Sequence, residues 1–313
     1  MNPSFSVIIP LYNKEDFIKS AVDSVLDQSF SDFEIIVVND GSTDKSMEIV
    51  ADFDDDRIRI LNTQNNGAAV ARNTGINNAK GKLMAFLDAD DYWEKNHLNT
   101  LYKLHHTFTD AGLYCTGYYK VYSEKAKKKA VFNGISKDFF GIVPNYFEAS
   151  LVDSLASASS VCIPAVVFNK IGLFDTSMRT GEDTDMWIRI ALIYGVALHN
   201  TTTANYNVHI PNSLSKSMFE ANKLKLVSKF ITQEAINAPL KKYIDLNRYA
   251  LALAYTLSGN TKLRKEALKT MNYRALNYKQ RILIRMPGVV LRILKKWQHY
   301  MAVRNRFLSP FSR

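Results

Sequence analysis

Several short polar segments of this chain carry side chains whose types and spacing could do chemistry. The sharpest is Asp88-Ala89-Asp90, which closes the apolar run LMAFL. Two carboxylates two positions apart can face one pocket across a turn. Hard oxygen ligands of this kind hold a divalent cation that also accepts diphosphate oxygens. Asp91 reads equally well as a third acid of that loop or as a helix cap. Asp40 closes the run EIIVVN. Its carboxylate could accept from the N–H of a base, although Asp40-Gly41-Ser42 taken alone is a tight turn with Gly41 at positive φ. Arg72 lies on the helix opened by Asn65-Asn66-Gly67. Its planar fork suits a phosphate or an ion pair with a neighbouring aspartate, and both readings stand. Thr180-Gly181 precede Glu182, Asp183 and Asp185 at the start of an apolar-faced helix. Such carboxylates complement a helix dipole, which accounts for Asp185. The adjacent Glu182 and Asp183 could instead include a general base acting on a hydroxyl. His209, in YNVHIP, is by itself a weak ligand candidate, and His199 also follows the acidic pair.

The elements that must position these groups alternate. Phe5–Pro10 is a β-branched run ended by proline and predicts a buried strand. Residues 14–28 place Phe17, Ile18, Ala21, Val22 and Val25 at helical spacing. Strands follow at Glu34–Asn39, Arg57–Leu61 and Leu83–Leu87; between them lie a helix started near Ser42-Thr43-Asp44 and another over Ala68–Ala79. Continuous apolar strands alternating with helices indicate a parallel sheet covered on both faces, whose ligands bind beyond the carboxyl ends of the strands. Pro10-Leu11-Tyr12-Asn13, Asp40-Gly41-Ser42, Asn65-Asn66-Gly67 and Asp88-Ala89-Asp90-Asp91 should therefore share one rim. From Leu113 to about Val143 the pattern becomes irregular strands, with Glu124–Lys129 as a solvated hairpin tip. A helix is expected near Asp183–Tyr194, and residues 219–275 read as helices.

Composition narrows the partners. The last acidic residue is Glu266, and eleven of the 40 basic residues follow it, so 29 basic residues face 30 acidic ones in positions 1–266. The charge of +10 thus belongs to the tail, and a negatively charged partner should meet the tail rather than the body. Residues 287–303 place Val290, Ile293, Leu294, Trp297 and Met301 on one helical stripe, with Arg292, Lys295, Lys296 and His299 on the other side. Residues 279–313 are accordingly expected either to lie on an anionic membrane surface or to pack on the body or on a second copy of the chain. Nucleic acid is not expected, because the basic tail carries no recognised binding motif. No apolar run approaches the roughly 20 residues that span a bilayer. The start of the chain lacks a signal-peptide pattern, and two cysteines make no disulfide framework. These features point to the cytoplasm, with peripheral attachment to the inner face of the cell membrane as the role for the tail.

The segments VIIPLYN, EIIVVNDGSTD, NNGAAVARNTGI, LMAFLDADD and TGEDTDMW occur in order over residues 5–215, and together they resemble the family 2 glycosyltransferases of the GT-A fold. The resemblance implies a Rossmann-like, mostly parallel α/β sheet with helices on both faces over residues 1–215, and a basic helical extension over 216–313. It implies that Pro10, Tyr12, Asp40 and Asn65 form a nucleoside pocket and that Arg72 contacts base or phosphate. Asp88 is then the ribose- and metal-side carboxylate, Asp90 the direct Mn²⁺ or Mg²⁺ ligand, and His209 a further approach to metal or diphosphate. Asp183 is implied as the catalytic base, with Glu182 beside it at the acceptor. The implied reaction is inverting transfer from a nucleotide-diphosphate sugar, UDP by family habit, to a hydroxyl of a glycan or lipid-linked acceptor in surface polysaccharide synthesis.

Three other readings compete. A sugar-nucleotide nucleotidyltransferase needs a glycine-rich basic loop where this chain has VIIPLYN. Transfer to a polyprenyl phosphate needs no general base, so Glu182-Asp183 favours a hydroxyl acceptor. A non-catalytic nucleotide-sugar binder would not need the full set of carboxylates.

Overall fold

The computed structural model describes residues 2–208, 210, 222–307 and 310. The chain divides into two compact units. The first comprises residues up to Lys120, Ile135–Pro144 and Leu155–Val208; the second comprises Val121–Gly134, Asn145–Ser154 and the chain from 209 onward. The second unit thus takes two segments from the middle of the sequence.

In the first unit, strands β1 (Phe5–Leu11), β2 (Phe33–Asn39), β3 (Ile58–Asn62) and β4 (Leu83–Phe86) pair in parallel in the order β3-β2-β1-β4. Helices α1 (Ile18–Leu26), α2 (Ser46–Ala51) and α3 (Ala68–Asn78) make the crossovers. Their apolar runs become core: Val7, Ile8, Ile9, Ile35, Ile36, Val37 and Val38 have no solvent exposure. Because the chain runs outward from β1 to β3 and returns to β4 on the other side of β1, the sheet changes direction of winding there. Ligands of open α/β sheets bind beyond the strand ends at such a switch.

The sheet continues past β4: the irregular strands expected over Leu113–Val143 form there, joined by three further strands outside that range. After β5 (Tyr92–Trp93), α4 (His97–Thr107) and β6 (Ala111–Ser123) come β7 (Ala126–Lys129), β8 (Phe140–Ile142), the short helix α5 (Tyr146–Ala149) and β9 (Val161–Pro164). Helices α6 (Phe168–Ile171) and α7 (Glu182–Ala191) then precede β10 (Gly195–Asn207). The order is β4-β9-β6-β10-β5, with β9 antiparallel to both β4 and β6 and β10 antiparallel to β5. The expected hairpin tip is shorter than Glu124–Lys129: only residues 124–125 turn, while Ala126 is buried in β7.

The second unit is built on α10 (Ala238–Ser258), introduced by α8 (Asn222–Lys229) and α9 (Ile231–Ile236) and followed by α11 (Thr261–Leu268), α12 (Tyr278–Leu283) and α13 (Gly288–Val303). Asn237 caps α10 by accepting the Leu240 N–H at 3.0 Å, with Pro239 in the first turn. Arg248, 1% exposed, donates to Glu234 at 2.8 and 2.9 Å and to Asp245 at 3.0 Å, so its buried charge is neutralised. The borrowed segments join by aromatic contact: Phe147 meets Tyr243 at 5.8 Å, and Tyr122 meets Phe307 at 5.3 Å. Among the described residues no helix is long and apolar enough to cross a membrane.

Candidate active site

The four polar strand ends do share one rim, and hydrogen bonds tie them to one another. The Asn13 side chain accepts the Thr43 N–H at 2.8 Å, joining the loop after β1 to the loop after β2. Asp40 is 3% exposed and fully engaged. Its Oδ1 accepts the Thr63 hydroxyl at 2.9 Å and the Asn66 N–H at 3.0 Å, and its Oδ2 accepts the Gly67 N–H at 2.7 Å. The carboxylate therefore shapes the loop that opens α3. Gly41 completes this corner: its φ is +77°, and a Cβ there would stand 3.2 Å from the Asn65 backbone nitrogen. Tyr12 is 43% exposed and Asn65 is exposed, so both remain open to a ligand.

Arg72 connects the acidic loop to the start of α7. One terminal nitrogen donates to Asp88 Oδ1 at 2.7 Å and the other to Glu182 Oε1 at 2.7 Å, while the guanidinium lies 5.6 Å from the centre of the Phe174 ring. Its side chain is 5% exposed, and among the described residues its Nε has no hydrogen-bond partner. Burial opposes the charge, but Asp88, Glu182 and Asp183 outweigh it and hold the guanidinium above its ordinary value. Of the two readings the sequence left open, the ion pair is realised. Its neighbour Asn73 fastens the loop before α7 by a reciprocal pair with the Phe174 backbone, at 2.9 Å each way.

Glu182 and Asp183 are adjacent but differently placed. Glu182 is buried against Arg72, and desolvation, opposed by Arg72 and reinforced by Asp183, pushes its carboxyl up to about 7. Asp183 is half-buried and accepts the Thr184 N–H at 2.6 Å through Oδ1; among the described residues Oδ2 makes no hydrogen bond. Asp183 is thus the member of the pair with a lone pair to offer a substrate proton. Asp185 pairs with Arg189 at 2.8 Å, whose guanidinium also holds the carbonyls of Ile171 and Leu173, so it serves the helix rather than the rim.

In the acidic loop, Asp88 is the more open carboxylate at 31% side-chain exposure and Asp90 the more enclosed at 15%. Burial raises Asp90, Lys14 lowers it and Asp88 raises it further. Lys14 Nζ stands 2.7 Å from Asp90 Oδ2. Asp91 caps no helix. Burial and the neighbouring Asp90 and Asp88 push its carboxyl well above the ordinary range, while it accepts the Ser159 hydroxyl at 2.5 Å and the Asn207 N–H at 2.8 Å. Ser159 Oγ also accepts the Asp88 N–H at 3.1 Å, and its carbonyl accepts the Trp93 indole N–H at 2.6 Å. Asp91 and Ser159 therefore form the latch that shapes the loop, leaving Asp88 and Asp90 on its open side.

Two of these groups had no signal in the sequence. Lys14 is one lysine in a loop, and Ser159 lies in the featureless run ASASS. His209 lies outside the described residues. Among those described, no three His, Cys, Asp or Glu side chains converge to hold a metal by themselves. The donor set nevertheless fits a hard cation. Asp88 and Asp90 are neighbouring carboxylates on one loop, and the Lys14 side chain already stands at Asp90 as an internal counter-ion. Mg²⁺-like ions use one or two carboxylates and complete their shell with phosphate oxygens and water.

Residues 6–165 match the sequence profile described as glycosyl transferase family 2. The chain belongs to that family. This glycosyltransferase is 30% identical over 284 residues to an uncharacterized glycosyltransferase of Rickettsia typhi, covering 82% of this chain and 85% of the relative. It is 32% identical over 230 residues to TuaG of Bacillus subtilis, named a putative teichuronic acid biosynthesis glycosyltransferase, covering 71% and 85%. Among solved structures, S. aureus TarS 1-349 in complex with UDP-GlcNAc matches with a TM-score of 0.69 at 17% identity, over 98% of this chain and 93% of that one. Mannosyltransferase PcManGT of Pyrobaculum calidifontis, in complex with GDP-Man and Mn²⁺, matches with a TM-score of 0.58 at 19% identity, over 97% and 87%. At these identities the structural likeness establishes the fold, which is GT-A with a C-terminal helical extension, as the motifs implied.

Proposed function

We propose that this family 2 glycosyltransferase moves a sugar from a nucleotide-diphosphate donor to an acceptor hydroxyl in one displacement, with inversion at the anomeric carbon. The observation that carries the reading is the chain of contacts Asp88–Arg72–Glu182, which brings Asp183 and its available oxygen to the same rim as the donor loop. Tyr12 offers an exposed ring for a base, and Pro10, Asn65 and the Asp40-supported loop frame the nucleoside. Asp90 and Asp88 would hold Mn²⁺ or Mg²⁺, with His209 as a further ligand. The ion, when bound, supplies positive charge against the diphosphate as it leaves. Asp183 takes the acceptor proton, and Glu182 with Arg72 fixes the helix start from which it acts. Arg72 also contributes its positive charge at the rim.

UDP as the nucleotude's identity is supported by the UDP-GlcNAc held by TarS, and a surface polysaccharide as product by the name of TuaG. A glycan or lipid-linked hydroxyl is the acceptor class that needs a base. The two buried free thiols, Cys115 and Cys162, suit the reducing cytoplasm, where nucleotide-sugars are met. The test is nucleotide release from a panel of UDP-, GDP- and TDP-sugars with and without Mn²⁺. Asp183→Asn should lower turnover by about 10²- to 10⁴-fold, the contribution of a positioned base. Full transfer by that variant would remove Asp183 from the mechanism, and an NMR assignment of retained configuration would remove inversion.

A further inference from the structure

The expected stripe of the C-terminal helix does not stay together in the fold. Leu291 and Ala302 are buried, and Leu294 and Met301 are half-buried, on the side of α13 that faces its own unit. The start of the helix abuts the end of α10: a Cβ on Gly288 would meet the Thr256 carbonyl at 2.6 Å, and Arg292 donates to the Leu257 carbonyl at 3.0 Å. With that face packed, Val289 (60% exposed), Ile293 (64%), Trp297 (51%) and Tyr300 (52%) form a second apolar row on the outer face. Their spacing of four, four and three residues keeps them on one side of a helix of 3.6 residues per turn.

Basic groups border this row. Arg292, Lys295, Lys296 and His299 line, with Leu257, an open groove of about 440 Å³. Arg304 lies over the Tyr300 ring at 3.6 Å. No acidic residue follows Glu266 in the sequence. We infer that the outer face of α13 docks on an anionic lipid bilayer, with Val289, Ile293, Trp297 and Tyr300 entering the interface and the basic groove taking lipid headgroup phosphates. Charge complementarity selects this occupant. A second copy of the chain would bring an equally basic face against this one, whereas an anionic bilayer offers both an apolar interior and negative headgroups. The inference is independent of the proposed chemistry.

The test is co-sedimentation of the full chain with phosphatidylcholine vesicles containing about one-third phosphatidylglycerol, against phosphatidylcholine alone. Binding should need the anionic lipid and weaken with salt. Trp93 and Trp187 are buried and the chain has three tryptophans, so Trp297 is the one placed to respond, and a blue shift of its emission should accompany binding. Ile293→Ser with Trp297→Ser should weaken binding roughly tenfold or more. Lys295→Glu with Lys296→Glu should weaken it more than about twentyfold, at about fivefold per basic side chain removed. Both variants should keep the parent melting temperature, since Ile293, Lys295, Lys296 and Trp297 are exposed. Equal recovery on neutral and anionic vesicles would overturn the inference. So would a dimer, seen by light scattering, that Ile293→Ser with Trp297→Ser abolishes while the parent ignores vesicles.

Discussion

Replacing Arg72 by methionine should destabilise the first unit by an amount that depends on pH. The Arg72–Glu182 pair is buried, with side chains 5% and 8% exposed, whereas Asp88 is 31% exposed and its share is screened. Breaking a buried pair by removing one partner costs about 3–5 kcal/mol when the orphaned charge cannot escape. Glu182 can escape by taking a proton. Its folded-state value of about 7 lies above the ordinary 4.5, so the folded protein holds this proton longer than the unfolded chain. The native protein therefore loses this contribution to stability as pH rises from about 5 to about 7, and the loss then levels off. Without Arg72 the carboxyl climbs further, and the loss continues above pH 7. At pH 6 the carboxyl is protonated in both proteins, and Arg72→Met should cost about 1–2 kcal/mol of hydrogen bonding and packing. At pH 8.5 the cost should reach about 3 kcal/mol, or a melting shift of roughly 6–12 °C for a unit of this size. Calorimetry at the two pH values reads this directly. Glu182→Gln in the same chain should remove most of the pH-dependent part. Parallel curves, with a loss below about 1 kcal/mol at both values, would refute the buried strut.

Three further outcomes follow from the same geometry. Lys14→Met removes the ammonium at Asp90, so Mn²⁺ titrated without nucleotide and followed by electron paramagnetic resonance should bind about fivefold more tightly, the equivalent of about 1 kcal/mol; unchanged or weaker binding would show that Lys14 is no competitor. Ser159→Ala leaves the Asp88 N–H and Asp91 without their shared partner and should cost about 1–3 kcal/mol in thermal unfolding. A neutral outcome there would mean that the latch does not shape the loop. Gly41→Ala meets both a positive φ and the Asn65 backbone, and should lower stability by about 1 kcal/mol or more; a gain in melting temperature would contradict that reading of the corner.

The parallel half of the fold and its rim were legible because β1, β2 and β4 are buried on both faces. Such strands read as uninterrupted apolar runs, so the polar residues ending them stand out. Arg72 was legible as a site and as a partner for a rim aspartate, which is Asp88, but not as a partner for Glu182, which is 110 residues away and is brought there only by the fold. In the antiparallel half strands were expected over Leu113–Val143, but β10 hid for a physical reason. Strand β10 buries Thr203 and Asn205, which are satisfied by His97 at 2.8 Å and Glu94 at 2.9 Å, so its inward face is not apolar and no two-residue alternation appears. The tail failed differently. Apolar residues of α13 surround more than half of the helix, and periodicity does not say which arc a neighbour covers. Leu294 and Met301 went inward, while Ile293 and Trp297 stayed out.

The central claim is that the rim of β1 and β4 holds a nucleotide diphosphate through a divalent ion on Asp90. Titration calorimetry of UDP into the protein, with Mn²⁺ and then with chelator, tests it most directly. Saturable binding that needs Mn²⁺ and is lost in Asp90→Asn, while Asp183→Asn binds like the parent, is the predicted result. Equal UDP affinity in chelator, or in Asp90→Asn, would contradict the account.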